Sequence, residues 1–171
     1  MAMSMYAASV PVFQHMLGNL IHVLEKGEAN AQARKFDPSV LATARLAPDM
    51  LPLTRQVLIA CDAAKLGVSR ISGIEAPKFE DNEATLEDLR GRIRKTLDYL
   101  ATVPAKALDG TEDKEVTFPA GRDKTRTMPA QAYLTQHVLP NFFFHVTTTY
   151  AILRHNGVDV GKSDYLLGAQ R

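Results

Sequence analysis

The side chain best suited to binding or acid–base chemistry is His145. It shares a helical face with the apolar residues Phe142, Val146, Ile152 and Leu153. Asn141 and Thr149 lie four residues before and after it, one helical turn away and within side-chain reach. Three roles are open to this imidazole. It can line a pocket with Asn141 or a hydroxyl group, ligate a metal ion, or occupy the core with its N–H group satisfied.

Polar partners for His145 are expected on an earlier helical segment. Gln56, Asp49 and Asp62 are the candidates there. Asp49 is also placed to cap that helix, because its carboxylate can accept the free N–H groups of the first turn. We therefore expect any ligand to be bound by His145, Asn141, Gln56, Asp62 and Asp49.

The other reactive side chains have weaker claims. His15 and His22 are seven residues apart on one helical face, a spacing too wide for one metal ion without another helix, so we expect a surface or interface role. His137 can approach His145 only if an intervening proline permits it. Cys61 lies on an alanine-rich stripe without a nearby cation in sequence, which is typical of a buried small hydrophobe.

Composition excludes several classes of protein. The 171 residues carry 20 basic and 19 acidic side chains, a net charge of +1, so no charge excess attracts nucleic acid or an anionic membrane. A single cysteine excludes an internal disulfide and favours a reducing, cytoplasmic setting. We expect no signal peptide and no membrane helix, and one domain over residues 1–171.

The elements that position these side chains are predicted to be four amphipathic helices. Apolar residues recur at helical spacing over residues 4–26, 49–72, 85–103 and 130–157. Pro11 moves the first start to about residue 10 or kinks that helix. Gly27 is expected to end it, although the alanine-rich residues 28–35 could continue as a further helical turn. Pro140 kinks or restarts the last helix.

The connections complete an all-α architecture. A short helix at residues 39–44 should cross the end of the bundle, and residues 109–128 should form a small hairpin or extended crossover. The charged face of the third helix, which includes Arg90 and Arg92, is typical of a solvated surface. The tail should pack Tyr165 and Leu166 against the end of the bundle. The expected fold is a four-helix bundle with a short crossover helix and a small hairpin before the last helix.

Five runs of sequence also carry a family likeness: residues 45–50 (RLAPDM), Gln56 with Cys61 and Asp62, and residues 140–145 (PNFFFH), 150–157 (YAILRHNG) and 161–166 (GKSDYL). Together they resemble a bacterial family of unknown function within the DinB-like (DinB/YfiT-like) superfamily. The resemblance covers nearly the whole chain and implies a four-helix bundle, often dimeric. It also implies a divalent metal site in many members, built from one His of the second helix and an HxxxH pair on the fourth. Some of these members transfer thiols such as bacillithiol or mycothiol.

This chain departs from that metal pattern. His145 matches the second His of the pair, Asn141 replaces the first, and the second helix contains no His, with its ligand position expected at residues 60–64. Catalytic zinc normally takes three protein ligands, and one imidazole with an amide binds a metal weakly. We therefore predict no metal cofactor, with a weakly bound divalent ion at His145 as the alternative.

Three functional hypotheses follow. The first is a small-molecule binding or interaction protein with a degenerate metal site, acting as a homodimer, because the aromatic residues 142–144 and Tyr150 cover too much of one helix for a single core stripe. The second is a metal-dependent enzyme, a thiol-S-transferase or hydrolase, that uses His145 with His137, Asp62 or acidic residues of the tail. The third is a structural or stress-response dimer without a ligand.

Overall fold

Four long helices, joined by short helical and hairpin connections, build the molecule. The computed structural model describes residues 3–121 and 123–170. Its helices are α1 (Val10–Arg34), α2 (Ser39–Thr43), α3 (Leu53–Ser72), α4 (Leu86–Ala101), α5 (Ala130–Tyr133), α6 (Leu139–His155) and α7 (Lys162–Leu167). A 3₁₀ turn (Ala105–Ala107) follows α4, and β1 (Glu115–Pro119) pairs antiparallel with β2 (Thr125–Pro129). The predicted all-α four-helix bundle, its crossover helix and its hairpin are confirmed.

The long helices do not neighbour one another in simple chain order. α3 packs mainly on α6 and α4, whereas α1 packs mainly on α4 and on the short α7. α2 lies in the connection between α1 and α3 and contacts α3. The predicted apolar stripes face the shared core, where Phe13, Val57, Ile93 and Phe142 are fully buried. No helix of the described ranges is long and apolar enough to cross a membrane.

The first helix begins at Val10, with Pro11 in its first turn, as one of the two predicted alternatives. The prediction that Gly27 ends it is wrong, because the helix runs on to Arg34. A Cβ atom at Gly27 would lie 3.1 Å from Leu153 Cδ2 of α6. This glycine therefore allows two helices to approach closely instead of stopping one.

Of the two N-terminal caps predicted for α3 and α4, the first is wrong and the second is confirmed. α3 begins only at Leu53 after Pro52, and exposed Asp49 lies in the preceding loop, so Asp49 does not cap the helix. Proline at this position fixes the backbone without a side-chain cap. At α4, Thr85 accepts the backbone N–H of Asp88 at 3.1 Å, which is the predicted capping box.

The charged face of α4 is not fully solvated, contrary to the prediction. Arg92 is only 2% exposed, and its guanidinium binds Asp62 of α3 and Asp81 and Glu83 of the loop before α4. Arg90 is 7% exposed and contacts Glu28 in the part of α1 that follows Gly27. The sequence pattern misplaced both arginines because their acidic partners lie on other elements.

A π-helical turn (Leu134–Val138) joins α5 to α6, so the last helix is continuous through Pro140. Proline has no backbone N–H, and the wider turn accommodates the hydrogen bond that is missing at this point of the helix. On its inner side, a Cβ atom at Gly67 of α3 would lie 2.5 Å from Val138 Cγ1. The two segments therefore pack at a distance that only glycine permits.

The carboxyl-terminal helix α7 lies along α1. Asp164 is 1% exposed and binds His22 at 3.1 Å and Lys26 at 3.2 Å. Tyr165 packs edge-on against Tyr150, whereas Leu166 remains 46% exposed. The prediction that Leu166 packs against the end of the bundle is therefore wrong.

Candidate functional site

His145 and Gln56 form a buried pair where α3 and α6 pack against each other. His145 Nδ1 lies 2.6 Å from Gln56 Oε1, and the two residues are 8% and 2% exposed. Gln56 Nε2 donates to the Leu51 carbonyl at 2.9 Å. The structure thus brings together two of the predicted site residues, on elements 89 residues apart in the chain.

The tautomer of His145 follows from this chain of hydrogen bonds. Because the Leu51 carbonyl only accepts, the Gln56 amide must donate to it and present its oxygen to the imidazole. His145 therefore carries its proton on Nδ1 and leaves Nε2 as an acceptor. Burial lowers the pKa of His145, so the ring is neutral near pH 7.

A second group of polar side chains lines a cavity farther along the same seam. Its volume is about 130 Å³, and its walls are Ile59, Asp62, Ala63, Leu66, Arg70, Tyr133, His137, Val138 and Asn141. Asp62 and Asn141 therefore meet here, one layer away from the Gln56–His145 pair. Asn141 makes no hydrogen bond to His145 within the described residues.

The far end of the cavity is held by an aromatic and cationic cluster. Arg70 donates to the Tyr133 hydroxyl at 2.8 Å, and Tyr133 stacks on His137 with ring centroids 5.6 Å apart. Phe118 of β1 contacts both rings, so the hairpin packs behind these two lining residues. Burial and the positive charges of Arg70 and Arg126 lower the pKa of His137.

Asp62, at the other end of the cavity, is part of the arginine cluster. Its Oδ1 accepts from both Lys65 and Arg92 at 3.1 Å. Cys61, its neighbour, is fully buried, and burial raises the pKa of its thiol to about 12. The thiol is therefore protonated at neutral pH and unsuited to nucleophilic attack, as the sequence indicated.

Comparison with known proteins identifies the family of this chain and a similar solved structure. The family described as Domain of unknown function (DUF1993) matches residues 5–166. The chain belongs to this family. A crystal structure described as a DinB family member protein from Shewanella denitrificans superimposes with a TM-score of 0.86 at 42% sequence identity. The match covers 94% of this chain and 90% of that one. A comparison with curated proteins found no match.

The DUF1993 chain is thus a DinB-like helical protein, and the resemblance stated from the sequence is confirmed. Within residues 3–121 and 123–170, no group of three or more His, Cys, Asp or Glu side chains could hold a metal ion. The α3 residue that faces His145 is Gln56, not a residue of the segment 60–64. Ala60 and Ala64 of that segment are fully buried in the core.

Sequence reasoning missed Arg70 and Tyr133 as site residues of this DUF1993 protein. Arg70 follows Leu66 by four residues and so shares its helical face, which the sequence spacing alone could have shown. The position of Tyr133 depends on the π turn, which was not predicted. Asp49, in contrast, is exposed and contributes to neither the pair nor the cavity. A larger groove of about 670 Å³ lies along the loop before α4, but charged side chains already paired with one another dominate its lining.

Proposed function

We propose that this protein binds a small molecule in the cavity between α3 and α6, and that the metal site of its superfamily is degenerate here. The observation that carries the proposal is the convergence of Asp62, Arg70, Tyr133, His137 and Asn141 on one cavity with apolar walls. A concave apolar space with a few convergent polar groups is the usual form of a ligand site. The cavity is lined by Asn141, one helical turn before His145, and this proximity supports the proposal, because the superfamily resemblance implies ligands at these two positions.

The size of the cavity limits the ligand. A volume of about 130 Å³ approaches the roughly 150 Å³ that accommodates benzene in a protein interior. A compound of up to about six heavy atoms therefore fits without rearrangement of the helices. Phe118 packs against Tyr133 and His137 and so supports this wall of the cavity.

Filling the cavity tests this proposal. Ala63→Leu places a larger apolar side chain among the lining residues, and Gln136→Leu introduces the same side chain at an exposed position near the cavity. Ligand-observed NMR with a set of small alcohols, amides and carboxylates should detect binding to the wild type and to Gln136→Leu, and none to Ala63→Leu. Equal binding to all three proteins, or to none, refutes the proposal.

A metal-dependent enzyme is the second candidate, and the tautomer of His145 favours it. With Nδ1 held by Gln56, Nε2 is the acceptor nitrogen that a metal ion requires, and Gln56 orients the ring as outer partners of metal-bound histidines do. Metal analysis of protein purified without chelator decides between the two. One tightly bound divalent ion per chain, lost in His145→Ala with unchanged helical content, would establish the second candidate and overturn the first.

We also propose a homodimer, because an apolar surface lies on the outer face of α6. Phe144 is 55% exposed and Leu46 is 38% exposed, and both line a shallow groove with Phe143. Burial of these groups against a second copy would be favourable by about 25 cal/mol per Å² of apolar surface. Light scattering should give twice the monomer mass for the wild type and the monomer mass for Phe144→Glu. A monomeric wild type contradicts the proposal.

A further inference from the structure

We propose that the cavity between α3 and α6 selects a small carboxylate with a short apolar chain, bound at its Arg70–Tyr133 end. This inference rests on the proposed function and names the chemical class of its ligand. It follows from three features of the cavity within the described residues: a Tyr133 hydroxyl proton without an acceptor, an Arg70 guanidinium without an acidic partner, and an apolar wall.

The hydroxyl proton of Tyr133 has no acceptor within the described ranges 3–121 and 123–170. Tyr133 is 1% exposed, and its oxygen accepts a hydrogen bond from Arg70 at 2.8 Å. A guanidinium group has no acceptor atom, so the Tyr133 proton must point elsewhere. Tyr133 lines the cavity, and an acceptor placed there by a ligand would use this proton.

The charge at this end of the cavity is positive. Arg70 has no acidic partner in the part of the chain that the structure describes, and its one hydrogen bond there is to neutral Tyr133. Arg126 of β2 adds a second positive charge near His137, as the lowered pKa of that histidine reflects. The carboxylate of Asp62 lies eight residues from Arg70 on α3, which is about 12 Å along the helix. Lys65 and Arg92 already neutralise it.

These donors match a carboxylate more closely than a neutral acceptor. An arginine fork and a tyrosine O–H can bind the two oxygens of one carboxylate, and charge-assisted hydrogen bonds are roughly twice as strong as neutral ones. The apolar walls formed by Ile59, Ala63, Leu66 and Val138 require an apolar body on the ligand, which distinguishes a carboxylic acid from inorganic phosphate. Propionate has both features and is small enough for the cavity.

The test compares three probes by NMR titration: propionate, its neutral isostere propionamide, and inorganic phosphate. We expect propionate to bind at least tenfold more tightly than propionamide or phosphate. Tyr133→Phe removes only the hydroxyl and should weaken propionate binding about tenfold. Tyr99→Phe is the matched control, because Tyr99 is also a buried tyrosine, 7% exposed, but donates to the Ile74 carbonyl away from the cavity.

Each outcome is decisive. Equal or tighter binding of propionamide or phosphate, or unchanged propionate binding in Tyr133→Phe, overturns the inference. If Tyr133→Phe fails to fold, Arg70→Gln provides the same comparison, since it removes the charge and keeps a donor. Binding of neutral compounds alone, abolished by Ala63→Leu, would refute the carboxylate and leave the binding function intact. Absence of binding by every compound would refute both.

Discussion

Replacement of Gln56 by leucine should show how much the His145–Gln56 hydrogen bond contributes to stability. The substitution keeps nearly the same side-chain volume but leaves the His145 N–H and the Leu51 carbonyl without partners. An unsatisfied buried polar group costs about 1–3 kcal/mol. The buried His145 N–H carries this cost, whereas Leu51 is 45% exposed and its carbonyl can bond to water, so we expect a net loss of about 2 kcal/mol. For a chain of this length, that corresponds to a decrease in melting temperature of roughly 4–8 °C.

A double-mutant cycle separates the pair from its surroundings. His145→Leu alone should lower the free energy of unfolding by a similar amount, because it leaves the Gln56 oxygen without a hydrogen-bond donor. Gln56→Leu together with His145→Leu should cost clearly less than the sum of the two, because replacement of both partners by apolar groups can be nearly neutral. Urea denaturation followed by circular dichroism measures all four states, with Gln136→Leu as the exposed control.

The reasoning is refuted if the double variant loses the sum of the two single losses, since that result means that the residues are not coupled. Nitrogen-15 NMR of the His145 ring gives a second check. It should show a protonated Nδ1 and an unprotonated Nε2 at pH 7, and a reversal of the two assignments in the wild type contradicts the proposed hydrogen-bond chain.

Three further predictions concern stability. Gly67→Ala should cost about 1–3 kcal/mol through its clash with Val138, and Val138→Ala should restore part of the loss in thermal melts. Arg92→Met should cost about 3 kcal/mol, because it leaves the Glu83 carboxylate, which is only 10% exposed, without its cationic partner, and faster hydrogen exchange in residues 77–83 should accompany it. The free energy of unfolding should decrease as the pH falls below about 6.5. Burial lowers the pKa of His145 in the folded protein, so the unfolded chain binds a proton at a pH where the folded chain does not. His145→Gln should reduce that slope in urea titrations.

Local signals predicted most of the fold. The period of apolar residues located the four long helices, and the Thr85 cap and the hairpin were apparent from residue type alone. Gly27 was misjudged because a glycine that ends a helix and one that allows close packing look alike in sequence. Only the position of Leu153 distinguishes them. Arg92 was misplaced for a similar reason, since its burial depends on acidic groups from two other elements.

The candidate site was predicted in part. His145 and Gln56 were correctly grouped, and Asp62 and Asn141 do share a cavity. Asp49 lies outside both groups, because α3 begins only after Pro52 and leaves Asp49 exposed in the preceding loop. The His145–Gln56 pair and the cavity are separate because of the relative register of α3 and α6. Helix packing sets this register, and the periodicity of apolar residues carries no information about it. The single domain, the cytoplasmic setting and the homodimer stay predictions.

The wide turn at residues 134–138 also bears on how relatives of this chain should be aligned. It holds one more residue than a regular helix would, and one residue corresponds to about 100° of rotation about the helix axis. A homologue without that insertion turns a different side chain toward the cavity at every position before it. Tyr133 would then have no positional equivalent, even though the sequence from Pro140 onward aligns without a gap. A gain or loss of this one residue would therefore change the residues that line the cavity while the surrounding scaffold is preserved.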